Sequence, residues 1–211
     1  EMGIPPEVIS VPLGDRAYDI HIGEGSLPAL RGILESFGGG GAVGLVTDDH
    51  VGPLYAEKVC GQISAAGRRH TVHVMPAGEA GKRLSRVEEI CGAFLAAGLD
   101  RSGVVVALGG GVVGDVAGFA ASVFMRGVPF IQIPTTIVAQ VDSSVGGKTG
   151  VNHPLGKNTI GAFHQPLAVV IDMSMLSTLP RRELCAGMAE VIKHGVIADG
   201  GLFAHLEAHA P

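Results

Sequence analysis

The sequence has little of what marks a secreted or disulfide-stabilised protein. It contains no tryptophan, only 4% aromatic residues, and three cysteines among 211 residues. Cys60, Cys91 and Cys185 are widely spaced and form no C-x-x-C pair. An odd, scattered set argues against a disulfide framework and predicts reduced thiols in a cytoplasmic protein.

The chain also lacks an excess of positive charge and a long apolar run. Its formal net charge is −5, and its longest basic run is Arg181-Arg182. No apolar stretch approaches the roughly 20 residues needed to span a bilayer, and no signal-peptide pattern is present. We therefore expect neither a nucleic-acid partner nor a membrane partner.

What the chain does have is apolar segments that alternate with helical patterns. After two short strands within 8–23, this alternation predicts an α/β domain whose parallel, Rossmann-like sheet is covered by helices on both faces. The domain is predicted to cover 1–178, and the start of a second, α-helical domain is predicted over 179–211. The predicted strands of the parallel sheet are 43–47, 71–75, 104–108, 130–133 and 168–171, and the helices between them cover about 51–66, 85–97 and 115–124.

The strongest local motif is G-G-G-V-V-G-D at 109–115. It matches G-x-G-x-x-G directly after a predicted strand and before a predicted helix, where backbone amides can bind a pyrophosphate. The alternative is a tight turn without a ligand. The following strand ends in I-P-T-T, without the acidic residue of the common dinucleotide pattern.

Asp48, which follows the strand 43–47, is a candidate for the role of this missing acidic residue. An aspartate at the carboxyl end of a strand could bind ribose hydroxyls, but Asp48 or Asp49 could equally cap the next helix. The loop 76–82 also contains glycines, yet taken alone it would be interpreted as a solvated turn.

A long segment over 134–166 is rich in Gly, Ser, Thr and Asn, and loops of this length are usually functional. Asp142, Lys148, Lys157 and Asn158 lie in it, and Arg126 precedes it. Cations for anionic groups, with Asp and Asn for hydroxyls, predict an anionic, hydroxylated substrate. A P-loop is excluded, because position 142 would have to be glycine.

A predicted helix carries Glu190, Lys193 and His194 at i, i+3 and i+4, on one face. Glu190 and His194 could both bind a metal, although an ordinary exposed pair is the default for such spacing. For His205 and His209, one turn apart, a solvated face is the default.

Together these segments resemble the 3-dehydroquinate synthase family of sugar-phosphate cyclases, from about Val8 to the last residues. The resemblance is carried, in order, by G-G-G-V-V-G-D, F-M-R-G-V, I-P-T-T, Q-V-D-S-S-V-G-G-K-T-G, G-K-N-T-I-G-A-F-H-Q-P and A-G-M-A-E-V-I-K-H-G. It implies an NAD-dependent lyase of the shikimate pathway that transiently oxidises 3-deoxy-D-arabino-heptulosonate 7-phosphate, eliminates phosphate, reduces the ketone again and closes the ring.

The resemblance also implies roles for individual residues. It implies NAD contacts at Asp48, Gly78, Glu79, Lys82, Gly111, Val112, Val113, Gly114, Asp115, Thr135, Thr136, Lys148, Lys157, Thr178 and Leu179. It implies substrate contacts at Arg126, Asp142, Lys148, Asn158 and Lys193. It also implies a ligand for zinc or cobalt at Glu190, and His194 is then interpreted as an ordinary exposed residue. A homodimer of the full-length enzyme is also implied.

Two departures from the family qualify these expectations. Ala77 stands where a small acidic or polar residue is usual, which affects one cofactor contact. The family's second domain supplies two further metal-binding histidines, so the chain alone is expected to bind little zinc and to turn over no substrate. The competing interpretations are a sister cyclase such as 2-deoxy-scyllo-inosose synthase, a metal-dependent polyol dehydrogenase, or a cofactor-binding fragment without activity.

Overall fold

The computed structural model of the chain describes residues 6–38 and 40–209. Nine strands and six helices are described within these ranges. The strands are β1 (Glu7–Val11), β2 (Tyr18–Gly23), β3 (Val43–Asp48), β4 (His70–Met75), β5 (Val104–Gly109), β6 (Phe130–Pro134), β7 (Lys148–His153), β8 (Gly156–Phe163) and β9 (Ala168–Asp172). The helices are α1 (Ala29–Ser36), α2 (Gly52–Ala65), α3 (Leu84–Ala96), α4 (Gly111–Val123), α5 (Arg181–Ala198) and α6 (Gly200–His209).

Seven strands form one sheet in the order β1-β2-β9-β6-β5-β3-β4. All neighbouring pairs are parallel except β1 and β2, which pair antiparallel at one edge. Strand β2 therefore pairs with β9, the last of these strands along the chain, and Ile20 lies opposite Val169. The predicted α/β, Rossmann-like fold is confirmed.

The sheet is covered on both faces, as the apolar strands predicted. Every residue of β3, β5, β6 and β9 is buried. One face packs against α3 and α4 through a core that includes Phe94 and Phe130. The other face packs against α1 and α2 through a core that includes Leu30 and Leu45. Burial on both faces is the reason that these strands are predominantly apolar.

The segment 134–166 has more structure than the loop expected from its composition. It contains a single π-helical turn at Ala139–Ser143 and the two-stranded antiparallel hairpin β7–β8. The hairpin packs on α4, and Val151 is fully buried in the core there. Many residues of the two hairpin strands are polar or glycine, so their composition resembles that of a loop.

One helix boundary also differs from expectation. Helix α4 begins at Gly111 instead of Asp115, so the second half of the glycine motif lies inside the helix. Helix α5, which carries Glu190, Lys193 and His194, begins after Pro180 and runs to Ala198. Among the described residues no helix is both long and apolar enough to cross a membrane.

Asp172, at the end of β9, holds the connection between β2 and α1. Its carboxylate accepts hydrogen bonds from the amides of Gly25 (3.1 Å) and Leu27 (3.2 Å), and from the amide (3.1 Å) and hydroxyl (2.7 Å) of Ser174. Burial raises the pKa of Asp172, but these hydrogen bonds outweigh it and hold the pKa below its ordinary value.

We therefore expect Asp172→Asn to lower the free energy of unfolding by about 2 kcal/mol at neutral pH, because bonds to a charged acceptor become bonds to a neutral amide. A carboxyl group whose pKa is lower in the folded chain stabilises the protein at pH values above its unfolded pKa, which is about 3.9. This stabilisation is lost as the pH falls through the folded pKa. Urea unfolding at pH 7 and pH 3 tests this. The difference from the unsubstituted chain should shrink at pH 3. A pH-independent difference, or an equal loss in the exposed control Asp100→Asn, would contradict it.

Candidate cofactor and substrate site

A cleft of about 830 Å³ opens at one edge of the sheet. Strands β3, β4, β5 and β6 are parallel, so their carboxyl ends meet at this edge. The loop after each of these four strands contributes to the lining of the cleft. This is where ligands bind in open α/β sheets.

The first turn of α4 forms one wall of the cleft. Gly111, Val112 and Val113 line it, and their amides belong to the turn whose N–H groups an α-helix leaves without partners inside the helix. The positive end of the helix dipole favours an anion at this position. This geometry suits a diphosphate.

Thr135 and Thr136 follow β6 and line the same wall. The hydroxyl of Thr136 accepts the amide of Ala139 at 3.2 Å. The buried Thr135 Oγ1 has no hydrogen-bond partner among the described residues. A buried hydroxyl without a partner at a cleft wall fits a polar ligand, because leaving it unpaired costs about 1–3 kcal/mol.

Asp48 does not cap α2, because the N-cap of that helix is Val51 and no side chain caps it. The Asp48 Oδ1 instead accepts the amides of His50 (2.9 Å) and Val51 (2.8 Å), which orders the turn between β3 and α2. Asp48 also lines the cleft. Both bonds use Oδ1, so Oδ2 is left for a hydroxyl of a ligand.

The loop after β4 is not a simple solvated turn. Gly78 has a φ of +96°, a conformation that L side chains rarely adopt, and the loop turns there into the cleft. Glu79 and Lys82 follow on the cleft wall. The side chain of Lys82 is only 6% exposed.

The Lys82 ammonium joins two other parts of the site. It donates to a carboxylate oxygen of Asp115 on α4, and to Oδ1 of Asn158 on β8 at 2.6 Å. Burial raises the pKa of Asp115, and the Lys82 ammonium only partly offsets that increase. The Lys82 ammonium therefore stabilises the ionised form of Asp115 against the effect of burial.

A second pocket of about 470 Å³ adjoins the cleft and shares Asp115 and Ser143 with it. Asp142, Lys148 and Asn158 line this pocket. The prediction that these three side chains serve one ligand agrees with their common position. Lys148 lies here and does not line the larger cleft.

Three potential metal ligands meet beside the π-helical turn. One ligating atom each from Asp142, Glu190 and His194 lies within 4.8 Å of the other two. The ammonium of Lys193 contacts the Glu190 carboxylate and lies 3.8 Å from Oδ1 of Asp142. Two carboxylates and an imidazole are a donor set that fits zinc or cobalt, so His194 is more than an ordinary exposed residue.

Some predicted site residues lie elsewhere. Gly114 bonds through its amide to Gly110 and packs against Gln132, away from the cleft lining. Lys157 is exposed and lines neither pocket. Arg126 is exposed beyond the far end of α4, about 18 Å along the helix from its first turn. Within this chain the position of Arg126 gives no support to its predicted substrate contact.

The remaining predicted residues, Thr178 and Leu179, close the cleft from the segment before α5. Thr178 shares a 2.6 Å hydrogen bond with the hydroxyl of Tyr55, which also lines the cleft. Sequence reasoning missed Tyr55 and Ser143, since a single Tyr or Ser within a helix or a loop carries no pattern.

Comparison with known proteins agrees with this arrangement. The family model described as 3-dehydroquinate synthase N-terminal matches residues 72–186. The 3-dehydroquinate synthase of Geobacter metallireducens is 53% identical over 201 residues, which are 95% of this chain and 56% of that protein. The chain thus spans little more than half the length of this relative.

Two solved structures show the same fold at sequence identities of 30% or more. A 2-deoxy-scyllo-inosose synthase, in complex with carbaglucose-6-phosphate, NAD⁺ and Co²⁺, has a TM-score of 0.84 and 30% identity over 90% of this chain and 52% of that one. The 2-epi-5-epi-valiolone synthase of Streptomyces hygroscopicus subsp. jinggangensis, with NAD⁺ and Zn²⁺ bound, has a TM-score of 0.83 and 34% identity over 94% and 55%.

Proposed function

Since the chain belongs to the 3-dehydroquinate synthase family, we propose that it is the NAD-binding portion of an enzyme that converts 3-deoxy-D-arabino-heptulosonate 7-phosphate to 3-dehydroquinate and phosphate. One observation carries the proposal. The large cleft at the helix N-terminus adjoins the smaller pocket, and Asp115 and Ser143 line both. A dinucleotide in the first would end beside a substrate in the second.

In this proposal the pyrophosphate of NAD lies at the first turn of α4, where Gly111, Val112 and Val113 present their amides. Asp48 and Glu79 accept the ribose hydroxyls, and Thr135 Oγ1 gains the partner that it lacks among the described residues. A carboxylate such as Asp48 near a ribose repels a 2′-phosphate, so the site favours NAD over NADP.

The smaller pocket provides the substrate contacts. Lys148 supplies a cation for phosphate or carboxylate, and Asp142 and Asn158 are suited to hydroxyl groups. The ammonium of Lys193, close to Asp142, adds a second cation beside the pocket. An anionic, polyhydroxylated substrate matches this set.

Glu190 would hold a divalent metal, with Asp142 and His194 within reach of the same ion. When bound, NAD would supply a hydride acceptor and donor, and the metal would supply Lewis-acid polarisation of a substrate oxygen. The residues of this chain bind and orient: α4 positions the dinucleotide, Lys82 favours the ionised form of Asp115, and Asn158 and Asp142 hold the hydroxyls. The identity of the metal, a cytoplasmic location and a homodimer stay predictions.

Titration of the chain with NAD while following its thermal midpoint tests the cofactor site. NAD at 100 times its dissociation constant stabilises a native protein by about 2.7 kcal/mol, a midpoint rise of roughly 5–10 °C for a domain of this size. NADP at the same concentration should give a smaller rise. No rise with NAD would overturn the proposal.

The full enzyme that carries this chain then distinguishes the chemistry. With NAD, metal and the 7-phosphate substrate it should release phosphate without net formation of NADH, because the hydride returns to the product. Turnover of glucose 6-phosphate instead would indicate a sister cyclase. Net NADH formed from a polyol would indicate a dehydrogenase.

A further inference from the structure

Asn152 lies near the end of β7, at the point where the pairing of β7 and β8 shifts register between Val151 and His153. It lines neither the cofactor cleft nor the smaller pocket. It nevertheless joins the hairpin to the loop after β4, because it forms an isolated parallel bridge with Arg83.

Three polar groups of Asn152 are used, each by a different neighbour. Its amide N–H donates to the carbonyl of Lys82 at 2.9 Å. Its side-chain Nδ2 donates to Oε1 of Glu79 at 2.7 Å. Its side-chain Oδ1 accepts the amide of Asn158 at 2.8 Å. An asparagine is the side chain that can donate and accept at once here, with no net charge.

The neighbours at the two ends belong to different sites. Glu79 lines the cofactor cleft, and Asn158 lines the smaller pocket. Asn158 has a φ of +55°, in the left-handed region that asparagine adopts more readily than most non-glycine residues. The bond from its amide to Asn152 and the bond from Lys82 to its Oδ1 hold it in this position.

We propose that Asn152 is a positioning residue that couples the Glu79 carboxylate in the cofactor cleft to the Asn158 backbone in the smaller pocket, and so contributes to NAD affinity by holding Glu79 in place. The proposal rests on the proposed function, since it takes the cleft as an NAD site.

Replacement of Asn152 by aspartate separates the effect of its side-chain bond to Glu79 from that of its side-chain bond to the Asn158 amide. The new carboxylate keeps an acceptor for the amide of Asn158, but it turns an oxygen towards Glu79, so attraction becomes repulsion between two carboxylates. We expect N152D to bind NAD about tenfold more weakly, as for the loss of a charge-assisted hydrogen bond. N152A removes both side-chain bonds and should also expose the Asn158 amide to hydrogen exchange. N152D should leave that amide protected.

The decisive comparison uses the chain itself in four forms: unsubstituted, N152D, E79Q and N152D/E79Q. In the double variant the side-chain amide introduced at position 79 donates to the carboxylate introduced at position 152, which restores one hydrogen bond with its polarity reversed. We expect the double variant to bind NAD no more weakly than E79Q alone, whereas independent losses would multiply. L155A, at the hairpin turn and 93% exposed, is the control and should bind as the unsubstituted chain does.

Calorimetric titration with NAD gives the affinities, and amide exchange followed by NMR gives the protection of Asn158. Full NAD affinity in N152D, or losses in N152D and E79Q that simply multiply, would overturn the coupling while leaving the proposed function intact. Absence of NAD binding by the unsubstituted chain would instead overturn the proposed function, and the coupling with it.

Discussion

Replacement of Lys82 by methionine is expected to reduce NAD affinity at least tenfold and to lower the free energy of unfolding by about 3 kcal/mol. The methionine keeps most of the volume but removes the ammonium that bonds Asp115 and Asn158. The Asp115 carboxylate is then left largely buried without its cation, and breaking a buried pair from one side typically costs about 3–5 kcal/mol. The lower figure applies because Asp115 stays partly exposed.

A second substitution separates stability from binding. K82M/D115N removes the unpaired charge, so much of the lost unfolding free energy should return, while NAD affinity stays low because the wall of the cleft still lacks its cation. Urea unfolding measures the first quantity and calorimetric titration the second. Recovery of NAD affinity in the double variant would contradict a direct role for Lys82. R101M, which removes an exposed cation from the turn before β5, is the control and should change neither quantity.

The loss in K82M should also depend on pH. Burial already raises the pKa of Asp115 in the folded chain, and without Lys82 it rises further. A carboxyl group whose pKa is higher in the folded chain than in the unfolded chain destabilises the protein at any pH at which the unfolded group is ionised. This penalty shrinks as the pH falls through the folded pKa, and it is gone below the unfolded pKa of about 3.9. The stability difference between K82M and the unsubstituted chain should therefore shrink as the pH falls from 7 towards 4, and K82M/D115N should not show this trend.

The second large effect is expected from Gly161→Ala in β8. Gly161 lies opposite Gly150 of β7, and a Cβ at 161 would lie 2.0 Å from the carbonyl oxygen of Thr149 and 2.8 Å from Cα of Gly150. Both obstacles are backbone, so the two hairpin strands must separate. We expect a loss of about 3 kcal/mol in the free energy of unfolding, at the upper end of overpacking costs.

The same substitution should disturb one pocket more than the other. Gly150 and Gly161 line the smaller pocket, whereas the first turn of α4 lines the cleft. We expect G161A to impair substrate binding by the full enzyme more than NAD binding by the chain. G61A on α2 is a matched control, because a Cβ there meets nothing within 4 Å; it should raise stability by about 0.5–1 kcal/mol. A stable G161A with an unchanged pocket would contradict the proposed close contact.

The sheet could be predicted from the sequence because burial on both faces leaves a direct trace in composition. β5 is an uninterrupted apolar segment, β6 is interrupted only by Gln132, and both lie next to helical patterns. The β7–β8 hairpin could not be predicted in the same way. Its residues are largely exposed or glycine, and its shape depends on packing against α4, which is a tertiary contact.

The site divides along similar lines. The glycine motif and the residues after β3 and β6 lie at strand ends, so their meeting at one edge follows from the parallel topology. The gathering of Asp142, Glu190 and His194 does not follow from spacing, because it depends on how α5 packs. A Cβ on Gly187 would lie only 2.5 Å from Cβ of Ile137, so that approach is close. Asn152 left no signal either, since its role arises from the register shift in the hairpin.

The pairing of β2 with β9 has a consequence for how the protein is made. Ile20 and its partner Val169 are 149 positions apart in the chain, and at roughly 5–20 residues per second a ribosome needs about 7–30 s to cover that distance. During that time the β1–β2 hairpin has a strand edge that β9 will later cover. An unpaired edge can join another nascent chain, and contacts between distant residues form slowly. The N-terminal hairpin is therefore the part of this molecule whose folding most needs protection during synthesis.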